Sequence, residues 1–326
     1  MSARADTGIV VIGRNEGDRL VNCLKSLTSE VELVVYVDSG STDSSVDHAE
    51  ELGVKCVCLG DDLPFTAARA RNAGFEFILS QPNSPKFVQF VDGDCLLESG
   101  YIEKATATLS DEPELALVTG WRAEINPKAS IFNEMCDYEW HRPSGDIMAC
   151  GGDMMVRSSA FEEVSGFNPA VIAAEDDEFC VRLRKAGWRL RRLPIAMTLH
   201  DANMFEFNQW WSRATRTGHG FEQVNNIHPD YFVRERRRTW IYGAVLPALG
   251  ILGILIFLPL FFLVVLIYGY SFFRTMRGLT ISGVPKSRAM RYAFFFLLSK
   301  FPNLIGALTY RWRKLKGSDM LIIEYK

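Results

Sequence analysis

Two carboxylates lie two positions apart at the end of an apolar run. The run reads FVQFVDGD and places Asp92 and Asp94 on either side of a glycine. Hard divalent cations such as Mg²⁺ and Mn²⁺ prefer oxygen ligands and usually keep phosphate oxygens of a substrate in their coordination shell. The pair therefore indicates a metal–diphosphate site, although this motif alone leaves open a simple turn rich in Asp and Gly.

A run of four acidic residues opens a predicted amphipathic helix, which reads AEDDEFCVRLRKAGW. Its apolar stripe includes Phe179 and Leu183. Acidic side chains in a first helical turn complement the helix dipole, which is a sufficient structural reason for one or two of them. Four in succession exceed that need; they are Glu175, Asp176, Asp177 and Glu178.

The framework that positions these acids is predicted by alternating strand and helix patterns before residue 110. GIVVIG, ELVVYVD, VKCVCLG and KFVQFVD are β-branched runs, each followed by a helical pattern. Such alternation predicts βαβ units and a mainly parallel sheet, whose ligands bind beyond the carboxyl ends of the strands. Polar residues follow three of these strands directly, at Arg14–Glu16, Asp38–Gly40 and Asp92–Asp94.

The net charge of −3 conceals two opposite segments. Residues 1–239 carry 25 basic and 37 acidic side chains, residues 240–273 carry none, and residues 274–326 carry eleven basic and two acidic ones. A nucleic-acid-binding protein would need a basic surplus in its folded domain, so no nucleic-acid partner is expected. The basic end of the chain instead suits the anionic surface of a membrane.

The uncharged stretch 240–273 far exceeds the roughly 18 apolar residues that mark a spanning helix. One straight helix of that length would measure about 50 Å, against a hydrocarbon core of about 30 Å. Pro247 and Pro259 provide places to break it. Basic residues flank both ends, which favours a helical hairpin with both ends in the cytoplasm, while a single pass stays open.

The remaining segments extend this division into domains. Residues 226–239 form a basic juxtamembrane linker, and residues 292–310 favour an interfacial helix within the basic segment 274–326, with a second span as the alternative. The first residues lack the apolar core of a signal peptide, so the domain 1–225 is expected in the cytoplasm. The seven cysteines form no Cys-x-x-Cys pair, and we expect them to be reduced.

Five motifs occur in one order: VVIGRNE, VDSGSTDSS, AARARNAGF, VDGD and AEDDEFCVRLRKAGW. Together they resemble the family 2 glycosyltransferases, over roughly residues 7–220. The resemblance implies the GT-A nucleotide-diphospho-sugar transferase fold, an α/β fold with a mainly parallel mixed sheet flanked by helices. Here a C-terminal membrane-associated helical segment follows it.

The resemblance also implies roles for the donor-binding residues. Arg14 and Glu16 at the end of the first strand would contact the nucleoside of the donor. Asp38 would contact it as well. Where the family often has Pro-x-Tyr-Asn-Glu, this chain has Gly-Arg-Asn-Glu, and an Arg guanidinium can stack on a base as Tyr does. Arg71 would lie near the diphosphate, unless it is an ordinary exposed helix cation. Asp92 would face the ribose or diphosphate.

Metal and catalytic roles follow from the same resemblance. Asp94 would bind Mg²⁺ or Mn²⁺, and His200 lies where many relatives place a further metal ligand, although a histidine after an apolar run is often structural. Asp176 matches the acid that serves as general base in the family, with Asp177 as its rival. Direct displacement at the sugar would invert its anomeric centre.

The segment before the membrane stretch departs from the pattern of processive synthases. Those enzymes carry Gln-x-x-Arg-Trp, whereas this chain reads Gln-Trp-Trp-Ser-Arg, so processive polymerisation is not expected. Its aromatic and basic residues suit a membrane interface or an acceptor phosphate. They are Trp210, Trp211, Arg213 and Arg216.

The sequence thus predicts an inverting, metal-dependent glycosyltransferase at the inner cell membrane, with its catalytic domain facing the cytoplasm. The expected donor is a UDP-sugar, and the expected acceptor is a hydroxyl of a lipid-linked glycan in exopolysaccharide or glycan assembly. Transfer to a polyprenyl monophosphate is the alternative reaction. A non-catalytic, membrane-tethered binding module is the alternative of another class.

Overall fold

The computed structural model describes residues 6–323 and divides the chain into two compact units, the first ending at Phe205 and the second beginning at Glu206. The first unit contains a nine-stranded sheet. Its strands are β1 (Thr7–Gly13), β2 (Leu33–Asp38), β3 (Lys55–Cys58), β4 (Phe87–Asp92), β5 (Cys95–Leu97), β6 (Leu115–Glu124), β7 (Gly145–Asp146), β8 (Met154–Arg157) and β9 (Arg189–His200). Its helices are α1 (Asp18–Thr28), α2 (Ser45–Glu51), α3 (Ala67–Leu79), α4 (Tyr101–Asp111), α5 (Ile131–Trp140), α6 (Ser158–Glu163) and α7 (Glu175–Lys185).

The sheet is mixed, and its parallel half is the one that the sequence pattern predicts. The strand order is β3-β2-β1-β4-β8-β6-β9-β5, with β7 paired to β9. Strands β1 to β4 pair in parallel, as do β6 and β9, whereas β8, β5 and β7 pair antiparallel to their neighbours. The segment after residue 110, irregular in sequence, supplies the antiparallel strands β7 and β8, and also β9, with which the earlier strand β5 pairs.

Helices cover both faces of the sheet because both faces of its central strands are apolar. In β1, Ile9 and Val11 pack in the core beneath α1 and α4, while Val10 and Ile12 pack in the core beneath α3 and α7. Side chains alternate between the faces of a strand, so a continuous run of Val and Ile supplies both cores at once. This double burial fixes the strand register.

The register brings the polar strand ends together. Gly13 at the end of β1 pairs with Asp38 at the end of β2, and Ile12 pairs with Asp92 at the end of β4. The turn after β4 is held against β1 by a hydrogen bond from the Gly93 amide to the Ile12 carbonyl, 2.8 Å. The carboxyl edge of the parallel strands therefore gathers the three polar segments that the sequence pattern singles out.

The second unit is helical. It contains α8 (Phe207–Ile227), α9 (Val233–Trp240), a π-helical turn (Ile241–Val245), α10 (Leu246–Ile256), α11 (Leu258–Ile281), α12 (Lys286–Leu298) and α13 (Lys300–Lys316). Three continuous helical stretches are long and apolar enough to cross a membrane: Val233–Ile256, Leu258–Ile281 and Lys286–Lys316. Large apolar side chains on them are exposed, among them Ile256 at 76% and Leu266 at 68%, which is typical of lipid-facing surfaces.

Helix α10 folds back on α11 at Phe257. Gly253 lies against the backbone of Phe261, where a Cβ would be 2.4 Å from the Phe261 nitrogen. Further along, the Tyr268 hydroxyl donates to the carbonyl of Tyr242. These contacts pair the helices in opposite directions and form a helical hairpin. Pro259 at the second position of α11 needs no amide partner there.

Helices α8 and α13 approach closely enough that only glycine fits at their crossing. A Cβ on Gly306 would lie 1.9 Å from the Thr215 carbonyl oxygen, and one on Gly218 would lie 2.0 Å from the Asn303 carbonyl oxygen. Backbone atoms cannot move aside as a flexible side chain can. Packing of α13 on α8 therefore depends on the absence of both side chains.

We expect Gly306→Ala to lower the melting temperature of the full chain in detergent. Separating two packed helix backbones costs about 1–3 kcal/mol of unfolding free energy. Gly269→Ala is the matched control, because no atom lies within 4 Å of a Cβ on Gly269. Melting temperatures followed by circular dichroism compare the two variants. Equal shifts would contradict the close crossing.

Candidate active site

The turn after β4 and the end of β9 bring three potential metal ligands together. Cys95 of β5 pairs with His200 of β9 in an antiparallel register, so the residue before Cys95 lies beside the histidine. The His200 Nε2 is 3.4 Å from an Asp94 carboxylate oxygen, and both side chains are buried. Ligand atoms of Asp92, Asp94, Cys95 and His200 all lie within 4.8 Å of one another.

The chemistry of these four groups favours an oxygen and nitrogen donor set for a divalent cation. Burial, followed by the nearby charge of Asp153, raises the pKa of the Cys95 thiol well above its ordinary value. The Cys95 thiol donates to Asp153 at 3.4 Å, so it stays protonated. Asp92, Asp94 and His200 are the candidate ligands with oxygen and nitrogen donors, and two carboxylates with one imidazole would suit Mg²⁺ or Mn²⁺.

Trp140 packs against the histidine and helps to orient its ring. The Trp140 and His200 rings meet edge-on with their centres 4.6 Å apart. The Arg122 guanidinium lies over the Trp140 ring, 5.4 Å from the ring centre. Trp140 ends α5, which belongs to the segment without a clear sequence pattern. A ring fixed by packing presents its nitrogen in one direction, as a metal ligand requires.

Arg71 joins the strand-end acids to the acidic turn of α7. Its guanidinium is 2.8 Å from Asp92 and 2.9 Å from Glu175, and the residue is only 2% exposed. It is therefore not an exposed helix cation. Burial would raise the pKa of Asp92, but Arg71 and then Arg122 outweigh burial and hold that pKa below its ordinary value. Asp92 stays ionised.

A second buried pair, Arg122 and Asp153, supports the same cluster and is not among the predicted site residues. The two side chains are 2.6 Å apart, and Arg122 also lies 3.6 Å from Asp92. Asp153 accepts from the Asp92 amide at 3.1 Å and from the Thr198 hydroxyl at 2.8 Å. The one sequence signal was an aspartate entering the apolar strand β8 after two glycines.

Asp176 lies in the first turn of α7, next to the glutamate that Arg71 binds. Its carboxylate accepts from the Asp177 amide at 2.9 Å. Burial, and then the like charges of Glu175 and Asp177, raise the pKa of Asp176 well above its ordinary value. A carboxylate with a raised pKa is a stronger base than an ordinary aspartate, which suits proton abstraction near neutral pH.

The first two strand ends form a connected loop pair. Asp38 accepts from the Tyr36 hydroxyl at 2.9 Å and from the amides of Gly40 and Ser41 at 2.9 and 2.8 Å. These bonds fix the Asp38 carboxylate in one orientation. The loops are tied together by Asn15, whose side chain accepts from the Thr42 amide at 2.7 Å.

Arg14 and Glu16 occupy opposite sides of this loop. The Arg14 guanidinium lies 5.8 Å from the centre of the Phe65 ring, a pair of planar groups with which a base can stack. Glu16 forms an ion pair with Arg19 at 2.8 Å and lies near Gly93, where a Cβ would be 3.3 Å from its side chain. Phe65 was not predicted from the sequence.

The four aromatic and basic candidates before the membrane stretch all lie on α8, in the second unit. Trp210 is 5% exposed and meets Phe295 of α12 edge-on at 5.1 Å. Trp211 lies 5.6 Å from Phe207 on the same helix. Trp210 therefore contributes to the packing of the helices. Arg213 and Arg216 lie on the same helix, α8.

We expect Gly152→Ala to reduce turnover at least tenfold. A Cβ there would lie 2.1 Å from an Arg71 guanidinium nitrogen, which would have to leave Asp92. Gly151→Ala is the matched control, since its Cβ would be 3.8 Å from Arg122, an ordinary contact. Turnover and the melting temperature of both variants provide the check. Equal turnover of the two variants would show that turnover does not depend on the position of the Arg71 guanidinium.

Family comparisons agree with this geometry. Residues 8–164 match the model for Glycosyl transferase family 2, and residues 87–309 match that for Glycosyl transferase family group 2. The Pre-mycofactocin glycosyltransferase of Mycobacterium tuberculosis is 28% identical over 244 residues, which cover 69% of this chain and 48% of that protein. This chain thus spans about half the length of that relative. Glycosyltransferase AglE of Haloferax volcanii is 24% identical over 229 residues, covering 66% and 73% of the two chains.

Solved structures show the same architecture. The mannosyltransferase PcManGT from Pyrobaculum calidifontis, in complex with GDP-Man and Mn²⁺, superposes with a TM-score of 0.59 at 14% identity, covering 95% of this chain and 88% of that one. Residues 1–349 of S. aureus TarS give a TM-score of 0.51 at 15% identity, with 94% and 91% covered. The GT-A fold implied by the sequence motifs is confirmed.

Proposed function

Since the chain belongs to glycosyl transferase family 2, we propose that it moves one sugar from a nucleoside-diphosphate sugar to a hydroxyl of a lipid-linked acceptor. The observation that carries this proposal is a series of contacts. His200 lies against Asp94, Asp92 has a ligand atom within 4.8 Å of both, and Arg71 joins Asp92 to Glu175 in the turn that holds Asp176. This arrangement supports the proposed roles of Asp94 and His200 as metal ligands, of Arg71 as the cation that faces the diphosphate, and of Asp176 as the base.

A divalent cation, Mg²⁺ or Mn²⁺, is proposed at Asp94 and His200, with Asp92 beside it. When bound, such a cation neutralises the charge that develops on the nucleoside-diphosphate leaving group. The burial of Asp94 and His200 strengthens that electrostatic effect because water is excluded. Mn²⁺ in the solved mannosyltransferase supports this assignment.

The donor is proposed to bind across the first two strand ends. Its base would stack on Arg14 beside Phe65, and the oriented Asp38 carboxylate would accept from the base. We propose uracil as that base. The GDP-Man of the solved mannosyltransferase supports a diphosphate-linked donor and makes guanine the competitor to test.

Transfer would proceed by a single displacement. Asp176 takes the proton of the acceptor hydroxyl, the oxygen bonds to the anomeric carbon, and the bond to the diphosphate breaks with its electron pair leaving on the diphosphate. The anomeric centre is inverted. Glu175 cannot serve in place of Asp176 as readily, because its carboxylate is already bound by Arg71.

The acceptor is proposed to be lipid-linked because of the second unit. Three apolar helical stretches long enough to cross a membrane can hold the transferase unit at the level of the headgroups. The setting we propose is exopolysaccharide or glycan assembly at the inner cell membrane, with the catalytic unit in the cytoplasm.

We expect Mn²⁺ and a nucleoside-diphosphate sugar together to raise the melting temperature of the purified chain. A ligand at one hundred times its dissociation constant stabilises a protein by about 2.7 kcal/mol. His200→Gln should lose the part of the shift that depends on Mn²⁺, whereas His141→Gln, at an exposed histidine, should keep it. A screen of UDP- and GDP-sugars identifies the base. No shift with any of them would contradict the proposal.

We expect Asp176→Asn to lower turnover by a factor of about 10² to 10⁴, the usual contribution of a general base. Asp177→Asn should have a much smaller effect. Because the pKa of Asp176 is raised, the wild-type rate should fall as the pH drops through that raised value, and this acidic limb should be lost in the variant. Near-normal turnover would contradict a hydroxyl acceptor and point to an acceptor that is already ionised, such as a polyprenyl monophosphate.

A further inference from the structure

The helical unit contains a cavity of about 550 Å³, and none of its lining residues belongs to the candidate active site. It is formed where the π-helical turn, α11, α12 and the start of α13 meet. Phe296 and Leu297 form its apolar part. Its polar part consists of cationic and hydroxyl-bearing side chains: Arg238, Tyr242, Ser271, Arg274, Thr275 and Lys300.

The described lining of this cavity contains cations but no acidic side chain. Three of the lining side chains are positive, and none of the described residues that line the cavity is acidic. The sequence around it explains why: Asp and Glu do not occur anywhere between Glu235 and Asp319. A cavity with three cations and three hydroxyls is an electrostatic fit for an anion with several oxygens, such as a phosphate ester.

Close backbone packing fixes the position of the π-helical turn beside the cavity. The π-helical turn passes so close to α13 that a Cβ on Gly243 would be 2.5 Å from the Lys300 carbonyl oxygen. Tyr242, in the same turn, is held by the hydroxyl of Tyr268. Single π-helical turns are rare and frequently mark functional sites, because they re-aim side chains that an α-helix would direct elsewhere. Here the turn directs Tyr242 into the cavity lining.

We infer that this cavity binds the phosphate headgroup of a membrane lipid. Arg238, Arg274 and Lys300 would contact the phosphate oxygens, and the lining hydroxyls would donate to them. Phe296 and Leu297 favour a ligand with an apolar chain over free phosphate. The exposed Phe273, next to Arg274 on α11, offers that chain a path along the helix surface. The inference rests on the membrane association in the proposed function.

The test measures lipid binding to the purified full chain in a nonionic detergent by native mass spectrometry. The probes are dioleoyl phosphatidic acid, farnesyl phosphate, dioleoyl phosphatidylcholine and inorganic phosphate. We expect the two amphiphilic phosphate monoesters to bind more tightly than the zwitterionic lipid and than inorganic phosphate. A preference for farnesyl phosphate identifies an isoprenoid carrier lipid, and equal binding of the two monoesters identifies phosphate-headed lipids in general. Both results support the site.

Matched variants locate the binding. Arg274→Gln and Lys300→Gln should each weaken the binding of phosphatidic acid about tenfold, the effect of one lost charge-assisted hydrogen bond. Arg277→Gln removes the same charge from the same helix but does not line the cavity, so it should bind as the wild type does. Arg274→Lys, which keeps the charge, should lose less than Arg274→Gln. Melting temperatures establish that each variant is folded.

Two results would overturn the inference: equal losses in Arg274→Gln and Arg277→Gln, or binding of inorganic phosphate as tight as that of the lipids. The Mn²⁺ and nucleotide-sugar melting shift is measured on the same wild-type preparation. If the chain does not prefer the phosphate monoesters but its melting temperature still rises with Mn²⁺ and a nucleotide sugar, only the lipid site is rejected. An absent shift with intact lipid binding rejects the proposed transfer reaction alone.

Discussion

The buried guanidinium of Arg71 is the contact on which the arrangement of the site depends. It lies between Asp92 of the strand-end turn and Glu175 of α7, and all three side chains belong to different elements. A buried charge left without its partner costs about 3–5 kcal/mol, so neither the turn nor the helix can move away without losing stability. The same contact sets the distance between the turn after β4 and the acidic turn that carries Asp176.

A second constraint acts through the sheet. Strand β5 contains three residues, yet its antiparallel pairing with β9 sets Cys95 opposite His200 and so brings the preceding Asp94 beside that histidine. A slip of one residue would turn His200 away, since side chains alternate between the two faces of a strand. Asp153 pairs with Arg122 and accepts from the amide of Asp92, so the electrostatics of the turn and its backbone position are set together.

The helical unit follows a different physical rule. Its helices pack through glycines at which backbones nearly touch, as at Gly218 and Gly306, and its outer surface is apolar. Close backbone approach replaces the hydrophobic driving force that helices lack among lipid chains. Asp and Glu do not occur between Glu235 and Asp319, and two cations of this unit, Arg236 and Arg311, pair with Glu222 of α8.

The sequence alone determined the parallel half of the sheet, the acidic helix start, and the separation of an acidic transferase segment from an apolar, basic one. Those features depend on local periodicity and charge, which are read along the chain. It also identified Asp94, Asp176 and His200 as candidates through motif order. Only the tertiary structure decided that Asp153, Arg122, Trp140 and Phe65 belong to the site. Their neighbours in space come from distant elements, and no local pattern records a pairing between residues 92 and 153 or between residues 71 and 175. The contact partners of a buried charge are chosen by strand register and helix packing, which exist only once the chain has folded.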